Sequence, residues 1–268
     1  MMTPWSNRPL GGWRVLVPRG GPWGHGVASD LRAAGASPVV APMINFAPAD
    51  DSEALRTALA SLAAGAFDWL TVTSATTVDV LSAHQATVPD STHIAAVGET
   101  TAAALTAAGY QVDLVPPEDN SAKGLLRELS QFEQYGAELR ILTLRSDIAK
   151  PVLTEGLIAR GHTVESVVAY RTIGVPVDEA IVRDIQAGEF KAVLVTSGSV
   201  AEQIKLQLGP LPETMIVAAI GPQTARDAAA YGVRVDLVAK ERSAVSLIDA
   251  IVEVAKSNKA DDEGPADY

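Results

Sequence analysis

The chain repeats itself in a fixed register. Thr73 and Thr196, Gly98 and Gly221, Thr101 and Thr224, and the Val-Asp-Leu runs starting at Val112 and Val235 are each 123 positions apart (196 − 73 = 123). Further toward the N-terminus, RVLVPR (Arg14 to Arg19) and RILTLR (Arg140 to Arg145) are 126 apart (145 − 19 = 126). One register held across several elements marks a duplicated unit. The slip from 126 to 123 gives the first copy three more residues between its second and third strands, where a loop tolerates a change of length.

Each copy reads as five strands alternating with helices. In the first, RVLVPR is a strand, GGPWGHG a glycine-rich turn, and VASDLRAAGA a helix closed near Gly35. PVVAPMINF is then a second strand, and SEALRTALASLAAG a helix capped by Ser52. DWLTVTS, IAAVG and VDLVPP follow as strands, each leading into a helix. The strands are continuous apolar runs, so both sheet faces are expected to be covered by helices. That is the doubly wound α/β pattern, flavodoxin-like, in which ligands bind at the carboxyl ends of the strands.

The 268 residues are 47% hydrophobic and 20% charged, which suits a chain with a substantial core, and the duplication favours two domains. There is no cysteine, so disulfide and thiolate chemistry are excluded. A net charge of −11 argues against a nucleic-acid partner, which needs a basic face, yet leaves room for a small anion in a local cleft. No apolar run has the length of a membrane span or a signal peptide, so a cytoplasmic protein without a membrane partner is expected.

The residues for chemistry lie in the strand–helix turns. VTSGS, AAIGPQT, VTSAT and AAVGETT set hydroxyls and backbone N–H groups at helix N-termini, where the dipole favours an anion. For one such turn, ordinary helix capping accounts for Thr73, Ser74, Thr101, Ser197, Ser199 and Thr224. Four turns at matching places in two copies raise the case for a shared anion-binding cleft. Arg19 and Arg145 end equivalent strands and are candidates to grip carboxylates, against the competing reading of surface ion pairs. Tyr170 ends the strand VESVVAY, the only phenol at a strand's carboxyl end, and is the best candidate acid.

Other chemistries fit poorly. His25, His84, His93 and His162 are scattered without ligand spacing, so no metal is expected, and only His25, in the glycine-rich turn, keeps a chance of touching ligand. GGPWGHG is neither a phosphate loop nor a dinucleotide fingerprint. The serines lack a GxSxG elbow and a neighbouring histidine base, which makes them hydrogen-bond donors rather than nucleophiles.

Together, VTSGSVAEQI, AAIGPQTARDAAAYGVRVDLVA, SAVSLIDAI and VVAYRT resemble uroporphyrinogen-III synthases, in a likeness running from Arg14 to about Val254. The resemblance implies cyclisation of the linear tetrapyrrole hydroxymethylbilane to uroporphyrinogen III, with ring D inverted through a spiro intermediate and water lost. It implies no cofactor and no metal, and a monomer to which hydroxymethylbilane synthase hands its product. It also implies two α/β domains joined by a two-stranded hinge, with substrate between them. The repeats alone would cut the chain near Gly136. The family arrangement is interleaved instead: residues 1–43 with 172–256 form one domain, 44–171 the other, and 257–268 a disordered acidic tail. Carried over by position, the family's tyrosine falls on Tyr170 as catalytic residue. Its Thr-Ser pair falls on Thr73 and Ser74, its turn threonines on Thr101 and Thr224, and its Ser-x-Ser loop on Ser199 beside Ser197. The family often has two adjacent threonines where this chain has Gln223-Thr224.

Two other classes share some of these features. A hinged binding protein of the periplasmic type also has duplicated α/β units, but normally carries an export signal. A sugar-phosphate isomerase would hold phosphate on such loops, but needs a catalytic Glu or His near them. Glu99 is the one candidate, and at a helix start it more simply complements the dipole.

Overall fold

The computed structural model describes Trp5, residues 7–132 and residues 138–262. In chain order its first part runs β1 (Arg14–Val17), α1 (Gly21–Ala33), β2 (Ser37–Val40), β3 (Ile44–Pro48), α2 (Ser52–Ala63), β4 (Trp69–Val72), α3 (Ala75–Ala83), β5 (His93–Ala96), α4 (Glu99–Ala107) and α5 (Ala122–Leu129). Its second part runs β6 (Arg140–Ser146), α6 (Val152–Ala159), β7 (Thr163–Gly174), α7 (Glu179–Gln186), β8 (Ala192–Val195), α8 (Gly198–Leu208), β9 (Ile216–Ala219), α9 (Pro222–Ala230), β10 (Leu237–Val238) and α10 (Ala244–Asp262). The chain divides into two compact units, one comprising the residues up to Asn45 and from Gly174 onward, the other Phe46–Ile173.

Each unit holds a five-stranded sheet. In the first the order is β2-β1-β8-β9-β10, the 2-1-3-4-5 order of a doubly wound fold. In the second it is β3-β7-β6-β4-β5. The sheets exchange strands between repeats: β1 and β2 of the first copy pair with β8 to β10 of the second, while β6 and β7 of the second copy pair with β4 and β5 of the first.

All four residues of β4 and of β8 are buried, as apolar strands covered on both faces must be. Leu16, Met43, Val193, Val195 and Ile204 form part of the core on one face of the first sheet, and Val15, Val17, Leu194, Leu247 and Ile251 part of the core on the other. In the second unit Leu70, Val72, Leu142 and Leu144 pack with helices α2 to α4, and Trp69 and Ile141 with α5 and α6. Each buried Leu, Ile or Val side chain contributes about 1.5–3 kcal/mol. Ahead of β1, Trp5 is buried and its indole N–H donates to Asp249 Oδ1 at 2.9 Å.

Local chemistry alters several expected boundaries. PVVAPMINF is two strands, because Pro42 has no N–H to continue a ladder; β2 stays with β1 and β3 joins the other sheet. The cap of α2 is Asp51 rather than Ser52, its carboxylate accepting from Ala54 N at 2.8 Å. The extra length of the first copy lies in a helix, not a loop: α2 has 12 residues where α7 has 8, about one turn more. VDLVPP forms only a bridge from Leu114 to Ala95, and its counterpart only the short β10. In both copies an aspartate cuts the edge short: Asp113 accepts from Ile94 N at 2.7 Å and Asp236 from Val217 N at 2.8 Å. Helix α10 continues to Asp262, into the stretch read as an acidic tail; residues 263–268, like Gly136, lie outside the described residues. Among the described residues no helix is long and apolar enough to cross a membrane.

Candidate functional site

Every candidate residue occupies the carboxyl edge of its own sheet. In the second unit, Thr73 and Ser74 follow β4, Thr101 lies in the first turn of α4 after β5, Arg145 is the penultimate residue of β6, and Tyr170 stands on β7 opposite Ser146. In the first unit, Arg19 follows β1, Ser197 and Ser199 follow β8, and Thr224 lies in the first turn of α9 after β9.

The structure brings two of them together at Tyr170. Its hydroxyl lies 2.9 Å from Ser74 Oγ. Ser74 is also the N-cap of α3, accepting from Thr77 N at 3.3 Å. Either hydroxyl can donate in the Ser74–Tyr170 pair; when Ser74 donates, the phenolic proton is left for a ligand. The Tyr170 ring is buried, 7% exposed, and meets Phe46 edge to face with centroids 5.3 Å apart at 83°. Phe46 itself is 41% exposed, a large aromatic surface beside the phenol.

In the first unit, Ser197 caps α8 by accepting from Val200 N at 3.3 Å, and its hydroxyl lies 2.9 Å from that of Ser199. Thr101 and Thr224 occupy equivalent positions in their helices. Each is the third residue of its helix behind a glycine N-cap (Gly98, Gly221), and each is buried, 7% and 6% exposed. Thr73, Ser74, Ser197 and Ser199 are half-buried.

The arginines differ from one another. Arg145 is engaged by its own strands: Nε donates to Ser166 Oγ at 3.1 Å and Nη1 to the Ser146 carbonyl at 3.0 Å. Arg19 lies over the Trp23 ring, its guanidinium carbon 5.2 Å from the centroid. The stretch expected as a glycine-rich turn is helical from Gly21 onward, and its Gly24 lets the Arg19 carbonyl pack closely against the first turns of α1. His25 is exposed on α1, and His162 is buried, accepting from Leu139 N. Among the described residues no group of three or more His, Asp or Glu side chains is placed to hold a metal ion.

Sequence reasoning missed the residues that stand over the turns. Asn120 lies against Gly98, and Arg242 lies beside Gly221. Asn120 and Ser243 share the 123-residue register (243 − 120 = 123), so the duplication already marked these loops as paired. Phe46 has no equivalent in the other copy, where position 172 is threonine, and the repeat offers no signal for it.

Such an arrangement supplies neutral hydroxyl and amide donors at several helix N-termini, with one phenol held by a serine. It suits a ligand with dispersed carboxylates and a reaction that needs one weak acid.

Comparison with known proteins points to one family. The family model described as uroporphyrinogen-III synthase HemD matches residues 26–249. A protein named uroporphyrinogen-III synthase from Synechococcus elongatus is 30% identical over 94% of this chain and 98% of its own length. A porphyrin biosynthesis protein HemD from Ruminiclostridium josui is 27% identical over 94% of this chain, which spans about half (50%) of that longer protein. Two solved structures share the fold: a mutant uroporphyrinogen III synthase from Thermus thermophilus (TM-score 0.63, 20% identity, 92% of this chain and 99% of that one) and the uroporphyrinogen-III synthetase of Helicobacter pylori (TM-score 0.60, 17% identity, the same coverage). These matches give no support to the binding-protein or isomerase readings.

Proposed function

The chain belongs to the uroporphyrinogen-III synthase family, and we propose that it acts as one, closing hydroxymethylbilane into uroporphyrinogen III with ring D inverted and water released. The observation that carries the mechanism is the Tyr170–Ser74 hydrogen bond of 2.9 Å at the carboxyl edge of a parallel sheet. In the first step the hydroxyl leaves an electron-rich pyrrole methylene, taking a proton, and an azafulvene remains. The Tyr170 phenol is placed to donate that hydrogen bond, and Ser74 to steady the phenol oxygen as it loses proton density.

The azafulvene forms readily, so catalysis is chiefly orientation: ring D must be attacked at its substituted carbon to give the spiro intermediate. Dispersed donors at Thr73, Thr101, Ser197, Ser199 and Thr224, with Arg19 and Arg145, fit the task of holding a flexible polycarboxylate in one coil. The proposed domain limits are those of the interleaved division, at residues 43/44 and 171/172. A cytoplasmic monomer, supplied by hydroxymethylbilane synthase and using no cofactor, completes the proposal.

The direct test is to mix the protein with freshly generated hydroxymethylbilane and identify the uroporphyrinogen isomer that accumulates. The III isomer is expected; failure to enrich it over a protein-free control would refute the assignment. Distributed binding has its own check. Ser199→Ala and Thr224→Ala are each expected to raise KM about 2- to 10-fold, the worth of one neutral hydrogen bond. Abolished turnover in either one would replace many shared contacts with a single indispensable donor.

A further inference from the structure

We propose that Asp147 is a positioning residue for Tyr170, acting through a one-residue bulge in β7; this rests on Tyr170 being the group that meets the substrate. Along β7 the pairing with β6 runs Arg145↔Val168 and then Ser146↔Tyr170, so Ala169 is an inserted residue. In a regular strand successive side chains point to opposite faces. Val164 packs with the core that contains Leu153 and Leu157 of α6, and Ser166 Oγ lies 3.3 Å from Thr154 Oγ1 on that same helix. Unbroken alternation would carry Tyr170 to that side, with Ser166 and Val168.

Instead Val167, Ala169 and Tyr170 all join the core on the opposite face, beside Leu70, Val72 and Val78. The bulge turns the phenol across the sheet, onto the side where Ser74 caps α3. A register shift of one residue flips every later side chain, so this insertion decides whether the phenol and serine meet at all.

Asp147 is the residue that holds the shifted backbone. Its N–H donates to the Tyr170 carbonyl at 3.1 Å, and its Oδ1 accepts from Thr172 N at 2.9 Å. One exposed residue thereby holds the backbone on both sides of Arg171, directly after the tyrosine, standing in for a strand that has ended at Ser146. The backbone bond survives any substitution, whereas the bond to Thr172 depends on the side-chain oxygen.

The experiment combines exchange and kinetics on the full-length protein. In Asp147→Ala, deuterium exchange at the Thr172 amide is expected to speed up, and kcat for uroporphyrinogen III formation to fall roughly 3- to 10-fold with KM nearly unchanged. Asp147→Asn keeps an acceptor oxygen and is expected to restore both. In a Tyr170→Phe background, Asp147→Ala is expected to change kcat by less than about twofold, because the group it positions is gone. Unchanged exchange in Asp147→Ala, or an equal loss of kcat with and without the phenol, overturns the proposal. Full activity of Tyr170→Phe alone overturns the role of the tyrosine, and the exchange result still reports separately whether Asp147 holds the bulge.

Discussion

Tyr170→Phe is expected to slow uroporphyrinogen III formation about 10- to 100-fold, the worth of roughly 1.5–3 kcal/mol from a hydrogen bond that gains charge in the transition state. The loss should fall on kcat. Phenylalanine keeps the edge-to-face contact with Phe46 and the place in the core beside Val167 and Ala169. Only the oxygen is lost, along with its bond to Ser74, and Ser74 retains its capping bond to Thr77. The fold should therefore survive with about 1 kcal/mol less stability. Steady-state kinetics beside a thermal melt separates the two effects. An unaltered kcat would remove the phenol from the chemistry, whatever its geometry.

Gly24→Ala is expected to act on stability instead. A Cβ at that position would lie 2.0 Å from the Arg19 carbonyl oxygen and 2.9 Å from its carbon, and backbone cannot swing aside as a flexible side chain does. Either α1 or the β1–α1 turn must shift, at an overpacking cost of about 1–3 kcal/mol. The apparent Tm should drop by several degrees, at roughly 2–4 °C per kcal/mol for a unit of this size. At Gly26, two residues on, a Cβ would meet nothing within 4 Å, so Gly26→Ala serves as the control and should raise Tm by a few degrees through the roughly 1 kcal/mol that Ala gains over Gly in a helix interior. Equal melting of both variants would mean that the close approach to Arg19 has no energetic weight.

Much of the architecture was written locally in the chain. Continuous apolar runs bounded by Ser, Thr or Gly turns located the strands of two covered parallel sheets, and the 123-residue register tied the turns together in pairs. Helix caps were legible where the capping side chain follows its strand directly, as at Ser74 and Ser197. Strand partnership was not legible from periodicity, because pairing is a non-local choice. Nothing in PVVAPMINF says that its halves serve different sheets, although Pro42 marks the break. The bulge at Ala169 was invisible for a related reason: inserting one residue into an apolar run leaves the run apolar. Asp147 likewise shows its use only once Thr172 is folded beside it. The repeat gave no help there, since its counterpart 126 positions earlier is Gly21.

The path of the chain through β1 has a consequence for biosynthesis. Val15 pairs with Ala192, 177 residues later (192 − 15 = 177), while the whole of the second unit intervenes. On the ribosome, the second unit is complete in sequence when Ile173 emerges and can condense at once, since domains fold largely as units. The opening β1–α1–β2 segment must meanwhile stand by with one apolar strand edge unclaimed until β8 is made, an exposure that chaperones exist to cover. Maturation of this protein is thus ordered from the inside outward: the inserted lobe first, the lobe built from the two flanking segments last.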